Sequence, residues 1–229
     1  GRLVVCIVLR SGSVKQEMLQ ADNKRPNVIL VLVDDMGFSD LGLTGSEIRT
    51  PNIDSIARNG VLLSAMYNCA RCCPTRAALL TGLYPHNAGI GHMGAYRGFD
   101  RFYGFVDGVM NYFSPHYMME DDGRVEVSPT EFYLTDAITD NAVKMIDECV
   151  TARQPFFMYL AHHAPHWPLH AQENDIAKYD GVYTRGWDAV RGARHEEMQA
   201  RNILLHKWDI SRRDDSAMAW QDIKAKDWE

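Results

Sequence analysis

Seven consecutive residues, Asn27 to Val33, read NVILVLV. An unbroken β-branched and leucine run predicts a strand buried on both faces, the kind found inside a parallel sheet; a strand with one wet face would alternate apolar and polar residues. The run stops at Asp34-Asp35-Met36-Gly37. Two carboxylates therefore sit at the carboxyl end of a central strand, where open α/β sheets hold their ligands.

The following segments alternate helix and strand. Thr50 is a good N-cap, Pro51 suits the first helical position and Gly60 is a stop, so a short helix is expected between them. A second helix is expected from about Pro74 to Thr81 with a stop at Gly82, which leaves Cys72 just before a helix amino terminus. From Thr135, the apolar positions Ile138, Ala142, Ile146, Cys149 and Val150 recur with helical spacing. Pro155 then opens Phe156–Leu160 (FFMYL), a further buried strand, which feeds the loop His162-His163-Ala164-Pro165-His166-Trp167-Pro168-Leu169-His170. The order predicts an α/β fold with a mostly parallel central sheet flanked by helices. The charged, Trp- and Arg-rich region after Tyr179 reads as irregular surface helix.

Composition narrows the function classes. With 46% hydrophobic and 24% charged residues in 229, the chain can bury a sizeable core and is neither disordered nor disulfide-dense. The 30 acidic against 24 basic residues, a net charge of −6, include no long cationic run, which argues against DNA or RNA as partners. The five cysteines, Cys6, Cys69, Cys72, Cys73 and Cys149, are odd in number and crowded, unlike a disulfide framework. Cys69 and Cys72 form a lone CxxC, a weak sign of zinc or redox chemistry. Leu3–Leu9 (LVVCIVL), with Arg2 before it, is too short to span a bilayer and fits either a signal-peptide remnant or an edge strand. Residues 1–25 are accordingly expected to be a signal-peptide remnant or a disordered leader.

The sharpest motif is Cys72-Cys73-Pro74-Thr75-Arg76-Ala77-Ala78-Leu79-Leu80-Thr81-Gly82. It resembles the type I sulfatase signature, the mark of the formylglycine-dependent arylsulfatases within the alkaline phosphatase superfamily. The resemblance extends to the Asn27–Asp35 strand, Thr50-Pro51-Asn52-Ile53-Asp54, the run from Arg97 to Phe105, and Pro155-Phe156-Phe157 through Leu169. It implies an alkaline-phosphatase-like fold, sulfate-ester hydrolysis, a calcium ion and conversion of Cys72 to formylglycine by a formylglycine-generating enzyme. By the same resemblance Asp34, Asp35 and residue 72 are calcium ligands, Arg76 holds the formylglycine hydroxyl, and His166 contacts the sulfate. The implied substrates are small sulfate esters or sulfated carbohydrates, and the implied location is the periplasm or the cell exterior, with no membrane span.

Chemistry supports those roles. An ordinary thiol would displace sulfate and stay trapped, whereas a hydrated aldehyde can attack through one hydroxyl and release sulfate through the other. Aspartates are hard oxygen ligands suited to calcium, and Arg76 lies four residues beyond Cys72, on the same helical face.

The pattern also breaks. Gly89-Ile90-Gly91-His92-Met93 runs almost directly into Gly94-Ala95-Tyr96-Arg97-Gly98, where the family carries a block ending in a Gly-Lys-Trp-His-like motif. The family's later Asp-Asn pair, which completes the calcium shell, has no counterpart past Glu173-Asn174. Arg71 stands where the signature prefers a small or aliphatic residue. Residues 26–229 therefore read as a partial, truncated sulfatase catalytic domain that lacks an internal block and the carboxy-terminal subdomain. Three functions fit: a sulfatase, a catalytically impaired remnant that binds or merely folds, and a formylglycine-dependent phosphonate or phosphodiester hydrolase.

Overall fold

The computed structural model describes residues 6–7, 25–88, 98–106, 108–128, 130–205 and 208–223. In chain order the elements are strands β1 (Cys6–Ile7) and β2 (Val28–Val33) and helices α1 (Pro51–Arg58), α2 (Cys72–Thr81) and α3 (Pro85–Ala88). Strands β3 (Tyr103–Gly104), β4 (Met118–Glu120) and β5 (Gly123–Val125) follow, then helix α4 (Leu134–Thr151) and strand β6 (Phe157–His162). Helices α5 (Glu173–Ile176) and α6 (Gly186–Ala200) come last. The chain divides into two compact units, the first containing β2 and Arg58–His170, the second Phe38–Ala57 and the residues from Ala171 onward.

In the first unit, β2 pairs in parallel with β6, from Val28 opposite Phe157 to Val33 opposite His162. The two-residue β1 adds to the other edge of β2 in the antiparallel sense; the rest of the expected leader lies outside the described residues, apart from Arg25. A small antiparallel sheet, β3-β4-β5, stands apart from this one. Successive strand side chains point to opposite faces, and β6 uses both. Tyr159 bonds Arg76 of α2, while its neighbour Leu160 packs on the cluster of Met110, Tyr112, Met118, Leu134 and Ile138, the last two from α4. Helices therefore flank the sheet on both sides, the α/β arrangement the sequence predicts.

One expectation for β2 changes. Leu30 and Leu32 are buried, but Ile29, Val31 and Val33 are only half-buried. The second face is covered less because α4 lies against β6 and not against β2. The signature helix also begins earlier than expected, at Cys72 and not near Pro74, with Arg71 as its extended N-cap. Proline is tolerated throughout the first turn, where the N–H groups need no intrahelical partner, so Pro74 marks the first turn without marking its start. Gly82 closes the helix in the left-handed conformation, its N–H donating to the Ala78 carbonyl.

The second unit corrects the reading of the last third. The expected irregular surface helix contains a regular fifteen-residue helix, α6, with a partly buried face. Val190 and Met198 are buried, and Arg194 lies between them on the same stripe, four residues from each. Its guanidinium binds Asp40 at 2.6 Å and Glu47 through two bonds of 2.6 and 2.8 Å. A charged residue on a buried stripe hides the periodicity from sequence reading, and here it is satisfied by carboxylates distant in sequence.

Arg194 pulls the Glu47 carboxyl down to about 2 through its hydrogen bonds. A depressed carboxylate contributes stability that is present above its unfolded value near 4.3 and is lost as pH falls toward about 2. The wild-type advantage over Glu47→Gln is thus expected to shrink from about 2–3 kcal/mol near neutral pH to under about 1 kcal/mol at the acid end. Urea unfolding of both proteins across that window checks this; a constant difference would show that the pair does not stabilise through its charge.

Candidate active site

The two carboxylates that end β2 point to different partners. Asp34 is buried and accepts a 2.8 Å hydrogen bond from Arg76 Nη2, which makes an ion pair between the strand end and the first turns of α2. Arg76 Nη1 also donates to the Tyr159 hydroxyl at 3.3 Å. Asp35 follows in the left-handed conformation, φ 62°, which aspartate tolerates better than most residues. Its side chain is 61% exposed, and its Oδ2 stands 3.6 Å from His166 Nε2.

His166 is held by the loop it belongs to. Its Nδ1 lies 2.6 Å from the Trp167 carbonyl oxygen; a carbonyl only accepts, so this nitrogen carries the hydrogen. Tyr112, 1% exposed, donates its hydroxyl to the His166 carbonyl at 2.8 Å and its N–H to His170 Nδ1. Burial pushes the Tyr112 phenol up to about 12, so it stays a donor at ordinary pH. Beneath His166 lies the buried ring of His163, stacked at 5.0 Å and 26°. Phe105 meets His163 edge-on, and the Met110 N–H reaches toward its Nε2 at 3.5 Å. Burial, more than the neighbouring His166, lowers the His163 pKa and keeps this ring neutral.

Cys72, exposed, is the first residue of α2. The loop before it is pinned by the buried Thr75, whose Oγ1 accepts from the Cys69 N–H at 3.2 Å. Arg76 is thus one helical turn beyond Cys72, with its fork fixed from the strand side.

The family model for the sulfatases matches residues 26–101 and 94–219. The chain belongs to the sulfatase family. The two matched stretches overlap at 94–101. Among the relatives, an arylsulfatase of Klebsiella aerogenes is 27% identical over 80% of this chain and 52% of its own length. Arylsulfatase J of Mus musculus is 29% identical over 71% of this chain and 36% of its own length. The chain thus spans between about a third and a half of these curated relatives. Among solved structures, Ps i-CgsB in complex with k-i-k-neocarrahexaose superimposes with a TM-score of 0.58 at 26% identity, over 79% of this chain and 56% of that one. The fold of this sulfatase-family chain is therefore the alkaline-phosphatase-like α/β fold.

Against this frame of residues, calcium fits in kind and not in number. Asp34 and Asp35 offer hard oxygens side by side in sequence, but calcium takes six to eight. Asp34 is already neutralised by Arg76, and no group of three or more His, Cys, Asp or Glu is poised for a metal among the described residues. The pair alone would supply part of a shell only.

Sequence reasoning missed Tyr159, Tyr112 and His163. One signal was available: a tyrosine inside the apolar run FFMYL must find a partner for its hydroxyl when buried. Removing the stacked ring by His163→Ala is expected to cost about 2 kcal/mol through the cavity and the lost acceptor, read as a lower urea midpoint with an unchanged slope. An unshifted midpoint would mean the loop stands without this ring.

Proposed function

We propose that this chain carries the catalytic core of a sulfuric ester hydrolase whose nucleophile is formylglycine at position 72. The ion pair between Arg76 and Asp34 at 2.8 Å carries the reading, because it ties the signature helix to the strand end where ligands gather. Formylglycine would supply, as its hydrated aldehyde, one hydroxyl to attack sulfur and a second to expel sulfate. Arg76, its fork fixed by Asp34 and Tyr159, presents positive charge one turn beyond residue 72 and orients that hydroxyl. His166, with its Nδ1 hydrogen committed to the Trp167 carbonyl, keeps Nε2 beside Asp35 at 3.6 Å, where it would contact a sulfate oxygen. His163 and Tyr112 hold the imidazole in that pose.

Asp34 and Asp35 are the residues that would hold calcium, supplying part of its oxygen shell. The exposed position of Cys72 suits access by a formylglycine-generating enzyme. Small sulfate esters or sulfated carbohydrates are the proposed substrates; the solved relative holding neocarrahexaose supports the carbohydrate class. A periplasmic or secreted location follows from the same family reading, and no described helix is long and apolar enough to cross a membrane.

The partial donor set favours one second reading, an impaired sulfatase-like chain that folds and binds with little turnover. Both are tested by making the chain with and without a formylglycine-generating enzyme and following a chromogenic aryl sulfate in excess calcium. Turnover that depends on maturation supports the enzyme. Binding of sulfate esters without turnover supports the second reading.

A further inference from the structure

The loop that leaves β6 is inside out for a surface segment. Pro165, Trp167 and Leu169 are exposed, while the residues that alternate with them, His166, Pro168 and His170, are half-buried. Trp167 leaves 68% of its surface to solvent and Leu169 leaves 80%. A lone exposed apolar residue needs no explanation, but tryptophan is highly buried on average, and here three apolar side chains face water in a row. The half-buried row is fastened on either side of Trp167. The Tyr112 hydroxyl donates to the His166 carbonyl at 2.8 Å, and the Tyr133 hydroxyl donates to the His170 carbonyl at 3.4 Å. The His170 N–H closes onto the Pro168 carbonyl at 2.9 Å. The exposed row is therefore already ordered, which lowers the entropic cost to a ligand that covers it.

We propose that Pro165, Trp167 and Leu169 form the row on which the carbon skeleton of the sulfate ester lies, and that this row selects substrates with an extended apolar skeleton. The proposal rests on the reading of His166 as the sulfate contact and carries it further along the loop. Trp167 follows His166 directly, and its carbonyl oxygen stands 2.6 Å from His166 Nδ1, so an ester whose sulfate sits on this imidazole has its carbon side next to the row. The three side chains offer one indole N–H and no other polar group. A sugar would set its hydroxyls against a surface that gives them almost no partners. An alkyl chain or a fused ring gives up no hydrogen bonds there, and both apolar surfaces leave water. The row is open to solvent on its far side, so each methylene laid on it gains only part of what full burial would give. Of the two proposed substrate classes, the row favours small sulfate esters over carbohydrates.

The test starts with the whole chain, made without a maturation enzyme and titrated calorimetrically with methyl, butyl and hexyl sulfate below micelle-forming concentrations, and with galactose 6-sulfate. Full burial of a methylene is worth about fourfold in affinity; on an open row roughly twofold is expected, so hexyl sulfate should bind roughly thirtyfold more tightly than methyl sulfate. Trp167→Ala and Leu169→Ser should each flatten the series, with urea midpoints close to wild type because both side chains are exposed. His166→Ala should weaken every member by one common factor and leave the dependence on chain length intact. A flat series on the unsubstituted chain, a series unchanged in both row variants, or tighter binding of galactose 6-sulfate than of hexyl sulfate would each overturn the row. Undiminished binding by His166→Ala, with the chain-length dependence intact, would overturn the sulfate reading of His166 and leave the row standing. In a second arm the matured chain hydrolyses an aryl sulfate. Trp167→Ala should raise KM several-fold and hold kcat within about twofold, the mark of binding shared by ground state and transition state. A lower kcat at unchanged KM would put Trp167 at the reacting atoms and overturn its assignment to the row. No turnover by the unsubstituted matured chain would overturn the sulfatase reading, while the titration decides the row separately.

Discussion

Alanine at position 72 should remove turnover of an aryl sulfate by at least about 10⁴-fold, the scale on which loss of a nucleophile acts. Alanine at 72 offers neither a thiol for maturation nor a hydroxyl to attack sulfur. Position 72 is solvent-exposed at the first residue of α2, so the substitution removes little packing, and the thermal midpoint should stay close to wild type. That separation of activity from stability is the informative part of the measurement. Cys69→Ser and Cys73→Ser, made alongside, should retain activity within a few fold of the matured wild type, because in the proposed function neither side chain is the group converted. Steady-state turnover with a chromogenic substrate, paired with thermal unfolding of each variant, decides the case. Equal losses in all three variants would mean that the cysteine cluster acts as a structural unit and that position 72 has no special role.

Arg76→Ala should show the opposite balance, with stability and activity falling together. It removes the cation from Asp34, whose side chain is 12% exposed, and the donor from the Tyr159 hydroxyl. Breaking a fully buried pair from one side costs about 3–5 kcal/mol; with Arg76 at 21% exposure, about 2–3 kcal/mol is the expectation. In a chain of this size that lowers the unfolding midpoint by roughly 4–12 °C. Arg76→Lys keeps the charge but has no fork to reach both partners, so it should recover part of the stability and little of the activity. Circular dichroism melts read the first effect and aryl sulfate turnover the second. An unchanged midpoint in Arg76→Ala would show that the pair with Asp34 contributes nothing to holding α2 on the strand end.

Much of this was legible in sequence because it is written locally. The run from Asn27 to Val33 declared a strand, the pairing of Pro51 with Gly60 bracketed a helix, and Gly82 marked where α2 turns out. The signature at Cys72 and Arg76 and the strand-end aspartates were readable for the same reason: residue type and spacing carried them. The partners of those residues were not. Tyr159 finds Arg76 across 83 positions, and Tyr112 reaches the His166 carbonyl across 54. Such contacts depend on which side of a sheet or loop each residue occupies after folding, and no local period encodes that. In α6, Arg194 masked the buried stripe for a related reason: the carboxylates that make its burial tolerable lie 147 and 154 positions earlier.

The alternation of Tyr159 and Leu160 has a consequence for how this region tolerates insertion and deletion. Six consecutive pairings fix β6 against β2, and adjacent residues of β6 serve opposite sides, a hydroxyl toward Arg76 and an aliphatic chain toward α4. Loss or gain of one residue between Phe157 and Tyr159 would rotate every later side chain to the other side. Leucine would then meet the guanidinium, and the phenol would enter the packing with Leu134 and Ile138. Length changes here should therefore be far more damaging than most substitutions, whereas the turn after α4, at Ala152–Gln154, is exposed and can absorb them.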